Sequence, residues 1–179
     1  MSNKPALTSV ATLRARARRH VELGAVTTAY QGDRESVLRL LNEALATEIV
    51  CVLRYKRHYF AASGIHSQAV KEEFLEHAKQ EERHADRLAQ RIVELGGLPN
   101  FSPEGMLERS HAEYVEGESL AEMLRENLVA ERVAIESYSE MIAYVGADDP
   151  TTRRVLEDIL AEEEEHADDL KSLLDGMSR

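Results

Sequence analysis

The sequence predicts an all-α protein: an antiparallel four-helix bundle with one long crossover, preceded by a short N-terminal helix or extension. Three observations carry this prediction. Helix formers dominate a chain of 179 residues that has only four prolines. Apolar residues recur at helical spacing through most of it. The helix-stopping residues fall in the order short gap, long gap, short gap, which is the connectivity of a bundle with a single crossover.

Residues 1–32 read as a polar, partly basic extension. A helix around 9–22 is expected, capped by Thr8 or Ser9 and stopped near Gly24. From Asp33 to about Ala62, the positions Val37, Leu40, Leu41, Leu45, Ile49, Val52 and Leu53 form a helical stripe that ends at Gly64. The second bundle helix spans about Ser67 to Leu95 and stops at Gly96-Gly97, with Pro99 beyond. Residues 98–116 hold Pro99, Asn100, Ser102, Pro103 and Gly105, and read as a long connection. A third helix is expected from Ser119 to Val145, ending at Gly146. Asp148-Asp149-Pro150 then looks like an N-cap followed by proline in the first turn. The fourth helix runs to about Leu174, ending near Gly176, so the bundle is assigned to residues 33–176. Short breaks imply antiparallel neighbours, and the middle connection is long enough to travel the length of the bundle.

Composition narrows the function classes. A formal net charge of −11 argues against nucleic acid as a partner and suits attraction of cations. The basic run from Arg14 to Arg19 reads as an amphipathic surface helix rather than a nucleic-acid arm. One cysteine, Cys51, excludes a disulfide framework or a cysteine-based zinc site within one chain and makes the cytoplasm the expected compartment. The N-terminus has no signal-peptide core, and no apolar run approaches the ~18 residues of a membrane span.

The two halves of the bundle repeat a chemical pattern. Glu48-Ile-Val-Cys-Val-Leu-Arg-Tyr55 on the first helix matches Glu131-Arg-Val-Ala-Ile-Glu-Ser-Tyr138 on the third. Glu81-Glu-Arg-His84-Ala-Asp-Arg-Leu88 on the second matches Glu163-Glu-Glu-His166-Ala-Asp-Asp-Leu170 on the fourth. Residues three apart share a helix face, so Glu81 with His84, and Glu163 with His166, address common points. Four carboxylates and two imidazoles can thus meet in one pocket and bridge two metals about 3.5–4 Å apart. Oxygen and nitrogen ligation without thiolate suits iron or manganese, and zinc less specifically. A single Glu-x-x-His is weak: Glu108-Arg-Ser-His111, in the presumed crossover, is read as incidental. The repeat is what separates the six residues from such matches. Glu48, beside Leu45, Ile49 and Val52, sits on or next to the core face, where an unpaired carboxylate is costly.

Neighbouring residues stay open. Tyr55 and Tyr138 lie seven residues after their glutamates, as donors to a ligating carboxylate or as ordinary core tyrosines. His77 shares the stripe of His84 and reads as a packed core histidine, the alternative being the lining of an access route. His58 is equally undecided. Glu162 to Glu165 reads as a solvated acidic face, Glu163 excepted.

From about Val37 to Leu174 the chain resembles bacterioferritin and its relatives in the ferritin superfamily. The resemblance rests on Glu48 with Tyr55, on Glu81-x-x-His84-Ala-Asp-Arg running into Arg91-Ile-Val-Glu-Leu-Gly-Gly-Leu-Pro-Asn100, on Met123-Leu-Arg, and on Ile159-Leu before Glu163-x-x-His166. It implies a ferroxidase that oxidises Fe(II) with dioxygen or hydrogen peroxide and stores or detoxifies iron in a hollow homo-oligomeric shell. Glu48 and His84 would be terminal ligands of one iron, Glu131 and His166 of the other, with Glu81 and Glu163 bridging. Haem-carrying bacterioferritins place methionine directly after the first Glu-x-x-His glutamate; Glu82 stands there, so no haem ligated that way is expected. The chain ends 13 residues after His166, without the family's short fifth helix, and the N-terminal 32 residues have no counterpart. Its shorter bundle is similar to Dps-type mini-ferritins, leaving shells of 12 or 24 subunits as the alternatives. A stretch echoing Dps, Asp86 to Ile92, has Gln90 where that family carries a glutamate ligand. The competing functions are a Dps-like role in oxidative stress and DNA protection, a di-iron peroxidase like rubrerythrin, and a purely structural helical assembly. Rubrerythrins usually add an iron domain built on four cysteines, which this chain cannot make.

Overall fold

The computed structural model describes residues 7–65 and 67–177; the first six residues of the expected extension lie outside them. Four long helices form the bundle: α2 (Arg34–Ala61), α3 (Ser67–Glu94), α5 (Leu120–Val145) and α6 (Pro150–Met177). They are preceded by α1 (Val10–Ala17), and a single-turn helix, α4 (Met106–Arg109), interrupts the crossover. There is no strand among the described residues. Among the described residues no helix is long and apolar enough to cross a membrane.

α2, α5 and α6 begin where a side chain satisfies their free amides. Asp33 accepts from the Ser36 amide at 3.3 Å. Ser119 and Glu122 form a reciprocal capping box at the start of α5, with contacts of 3.2 and 3.1 Å. Asp149 accepts from the Thr152 amide at 2.9 Å, which leaves Pro150 in the first turn of α6. The stop at Gly96-Gly97 is a Schellman closure: the Gly97 amide reaches the Ile92 carbonyl and the Gly96 amide the Val93 carbonyl, both at 2.9 Å. Gly96 takes φ +76° there, a conformation side chains disfavour.

Three details differ from the sequence reading. The N-terminal helix ends at Ala17 instead of near residue 22; His20 turns left-handed at φ 54° and a 3₁₀ turn, Val21–Leu23, follows. It buries no residue, so nothing offsets the cost of a longer helix, and its basic residues repel one another. At the other end α6 continues through Gly176, because Leu173, Leu174 and Met177 pack on the core beneath it. In α2 the pattern inverts locally: Leu53 is 51 % exposed while Arg54 is fully buried.

α2 packs along α3 and α5 along α6, and the two hairpins join through α2–α5 and α3–α6 contacts. The apolar core is split. One cluster contains Leu41, Leu45, Leu88, Ile92, Tyr138, Leu156 and Ile159; the other contains Tyr55, Phe74, Leu124, Ala130 and Leu170. Between them lies a polar belt, described below.

The crossover is sewn onto α2. Asn42 accepts from the Asn100 amide at 2.7 Å, and Thr47 from the His111 amide at 2.9 Å. Arg54 donates to the Glu113 carbonyl at 2.9 Å, and His58 Nε2 lies 3.1 Å from the Val115 carbonyl. At the opposite end Arg91 ties α3 to α6, donating to Thr152 Oγ1 at 2.8 Å and to both Asp149 oxygens at 2.9 and 3.2 Å. Burial pushes the Asp149 carboxyl up, but the Thr152 hydrogen bonds and the Arg91 charge outweigh it and hold the group below its ordinary value. Asp149→Ala removes both a cap and a buried charge pair, and its expected cost is about 3 kcal/mol in denaturant unfolding. A carboxyl lowered by folding stabilises above its unfolded pKa and stops doing so as pH falls through its folded one. The gap between wild type and Asp149→Ala should therefore narrow below about pH 4.

Candidate metal centre

The polar belt consists of the six side chains singled out by the repeat. Glu48 comes from the middle of α2, Glu81 and His84 from α3, Glu131 from α5, and Glu163 and His166 from α6; all are buried. The structure brings all six to one place. His84 Nδ1 lies 3.3 Å from Glu48 Oε2, 3.5 Å from Glu81 Oε2 and 3.2 Å from Glu163 Oε1. His166 Nδ1 lies 3.3 Å from Glu81 Oε1, 3.3 Å from Glu163 Oε2 and 3.8 Å from Glu131 Oε2. The ligand atoms thus form two groups, Glu48/Glu81/His84/Glu163 and Glu81/Glu131/Glu163/His166, each spanning less than 4.8 Å and sharing Glu81 and Glu163.

What holds these side chains follows the internal repeat, with partners crossed between hairpins. Tyr138 of α5 donates to Glu48 Oε1 of α2, and Tyr55 of α2 donates to Glu131 Oε1 of α5. His84 Nε2 donates to Glu162 Oε2 at 3.1 Å, and His166 Nε2 to Gln80 Oε1 at 3.0 Å. Gln80 and Glu162 each directly precede the glutamate of a Glu-x-x-His. With Nε2 engaged outward, both imidazoles aim Nδ1 into the pocket. The inward atoms have no hydrogen bond: Glu48 Oε2, both oxygens of Glu81, Glu131 Oε2, both oxygens of Glu163, His84 Nδ1 and His166 Nδ1. Buried polar groups are normally satisfied, so such a concentration of free inward atoms is a place that could hold a cation.

The electrostatics agree. Burial, then the charges of Glu163 and Glu81, pushes the Glu48 carboxyl well up; burial with Glu81 and Glu163 does the same to Glu131. Burial would also raise Glu81, but its contacts to His166 and His84 outweigh it and hold it well below the carboxylate range. Burial pushes His166 down, yet Glu131, Glu163 and Glu81 lift it to about 12. The pocket therefore holds more negative charge than two imidazoles can balance comfortably.

The neighbouring residues are now placed. Glu162 is not part of a purely solvated acidic face: besides His84 it accepts from Arg87 at 3.2 Å. His77 is buried and stacked on His166 with centroids 4.1 Å apart. Glu108 and His111 stay in the crossover, where His111 sits 3.9 Å from Glu43 and both are exposed. Sequence reasoning missed a buried triad in which Arg54 Nε donates to Asn127 Oδ1 at 2.8 Å and Asn127 Nδ2 donates to His58 Nδ1 at 2.9 Å. Arg54 and His58, four apart on α2, carry the helical signal for a shared face, but nothing in composition marks an arginine as inward.

A four-helix bundle with one crossover and a buried carboxylate–imidazole pocket that could hold a metal defines the architecture of the ferritin-like carboxylate bundles. The ferritin-like domain matches residues 38–179, and the chain belongs to the ferritin family. Among its relatives is the bacterioferritin of Mycobacterium tuberculosis, 34 % identical over 157 residues, covering 83 % of this chain and 89 % of that protein. A DNA protection during starvation protein of Pyrococcus furiosus is 35 % identical over 148 residues, covering 80 % of each. Among solved structures, the dodecameric thioferritin of Bacteroides fragilis, related to bacterioferritin, superimposes with a TM-score of 0.80 at 34 % identity, over 83 % of this chain and 89 % of that one.

Proposed function

We propose that the pocket binds two iron ions and oxidises Fe(II) to Fe(III), for storage or detoxification in a hollow shell built from copies of this chain in the cytoplasm. The observation that carries this reading is the set of inward oxygens and nitrogens left without hydrogen bonds on six buried side chains. Their hard oxygen and imidazole character suits iron, with manganese or zinc as substitutes. The roles follow from which atoms are free. Glu81 and Glu163 have both oxygens free and are suited to bridge. Glu48 and Glu131 each give one oxygen to a tyrosine and have one left, which suits terminal ligation beside His84 and His166 respectively. Two ferrous ions supply two electrons, which with two protons reduce hydrogen peroxide to two waters or dioxygen to hydrogen peroxide. The residues contribute position: the tyrosines fix the terminal carboxylates, Gln80 and Glu162 fix the imidazoles, and the flanking apolar clusters keep bulk water out.

The relatives named bacterioferritin support the storage reading. The dodecameric B. fragilis protein and the P. furiosus DNA protection protein favour a second one: a twelve-subunit mini-ferritin that consumes peroxide. Anaerobic loading with Fe(II), followed by oxygen or peroxide, tests both. The expected result is rapid ferric absorbance from two Fe(II) per subunit; its absence with either oxidant overturns the proposal. Faster reaction with peroxide, in an assembly with the mass of twelve chains, selects the second reading. Tyr138→Phe frees Glu48 Oε1 and should weaken Mn(II) binding about 10–100-fold in an equilibrium titration, with the fold retained.

A further inference from the structure

One turn outside the pocket lies a second set of ligand-type side chains. On α3 the stripe Glu81/His84 is preceded by Glu73 and His77; on antiparallel α6 the stripe Glu163/His166 is followed by Asp169. His77 Nε2 is 3.0 Å from Glu73 Oε1 and 3.8 Å from Asp169 Oδ2, and the three ligand atoms lie within 4.8 Å of one another. The histidine is buried, with its side chain only 2 % exposed, while Glu73 and Asp169 are 34 % and 56 % exposed. The cluster thus has an inner wall of imidazole and an outer edge of carboxylate that meets solvent.

The hydrogen bonds of His77 orient it. The Tyr55 hydroxyl spends its one proton on Glu131, so toward His77 Nδ1, 3.2 Å away, the same oxygen can only accept. With Nδ1 turned to Tyr55, Nε2 faces Glu73 and Asp169. One imidazole nitrogen and two carboxylates this close together are an ordinary ligand set for a divalent first-row metal.

The internal repeat supplies a control. The register that matches Glu81 with Glu163 and His84 with His166 matches Glu73 with Val155, His77 with Ile159, and Asp169 with Arg87. At the opposite end of the pocket the same three places therefore hold two apolar side chains and a cation, and Arg87 pairs with Glu162 and Asp158. The duplicated framework does not require the cluster; it has been built at one end only.

We propose that Glu73, His77 and Asp169 form a third cation site, open to solvent, through which divalent metal reaches the buried pair. Its role as a loading station rests on the function proposed above; its existence does not. Crystals of the full-length protein grown anaerobically in saturating Mn(II), with anomalous diffraction measured at the manganese edge, test it. The expected result is a third peak among these three residues. The double variant Glu73→Gln/Asp169→Asn, changed only at partly exposed carboxylates, should lose that peak and keep those in the pocket. In solution the variant should bind one Mn(II) fewer per subunit and load Fe(II) about tenfold more slowly, to an unchanged pocket occupancy, if loss of a ligand shell weakens capture by the usual factor. Peaks in the pocket alone, or a third peak that survives the double variant, overturn the proposal and leave the functional reading standing. Absence of metal from the pocket itself would instead sink that reading.

Discussion

Replacing Glu81 by glutamine is expected to slow Fe(II) oxidation about 100-fold or more, because it removes the one α3 carboxylate shared by both ligand groups. Glutamine keeps the volume and can still bond to its neighbours, so packing around Leu88 and Ala78 should be retained. What disappears is an anion lying 3.5 Å from His84 Nδ1 and 3.3 Å from His166 Nδ1. Stopped-flow ferric absorbance after mixing with oxidant reads the effect, with circular dichroism to confirm helix content. The natural control is Glu108→Gln, which alters the incidental Glu-x-x-His of the crossover, where the glutamate is exposed and outside both groups. It should leave the rate unchanged. Equal rates for the two variants would show that the buried carboxylates are not where the chemistry happens.

A loss of stability as large as that of Asp149→Ala is expected from Arg54→Met. Methionine fills much of the space, but it strands Asn127 Oδ1 in a buried setting, worth about 1–3 kcal/mol when unsatisfied, and takes its donor from the partly buried Glu113 carbonyl, which costs less. A total of about 3 kcal/mol, seen as a lower urea midpoint, is the expected outcome. The loss should be local first: the segment from Glu113 to Val115 is pinned to α2 by Arg54 and His58, so the crossover should become the preferred site of limited proteolysis. The conservative variant Arg54→Lys, which keeps a cationic donor facing Asn127 and the crossover, should lose less stability. Equal losses from the two variants would mean that Arg54 acts through something other than these hydrogen bonds.

The fold and the pocket were legible for related reasons. Helical periodicity, caps and glycine stops are local signals, and in this chain they agree with one another: Asp33, Ser119 and Asp149 all cap where the pattern places them. The six pocket residues were legible because they occur twice in the same register, which random Glu-x-x-His matches such as Glu108/His111 do not. The outward limit of the pocket was not. Glu162 looks like its neighbours Glu164 and Glu165, and only the approach of α3 makes it the partner of His84 and Arg87. Leu53 and Arg54 exchange the places their polarity suggests, because the crossover lies over α2 and supplies a carbonyl for a buried guanidinium. The short α1 was overestimated for the opposite reason: its local signals are adequate, but no other element covers it.

By itself the amino-acid sequence determined the helices, their order and the six side chains of the polar belt, because each depends on spacing along one chain segment. Only the tertiary structure decided which hairpin's tyrosine holds which hairpin's glutamate, which oxygens remain free, and that Glu73, His77 and Asp169 converge at one end. Those are contacts between helices distant in sequence, set by how two hairpins cross and pack, and no periodicity within either one encodes them.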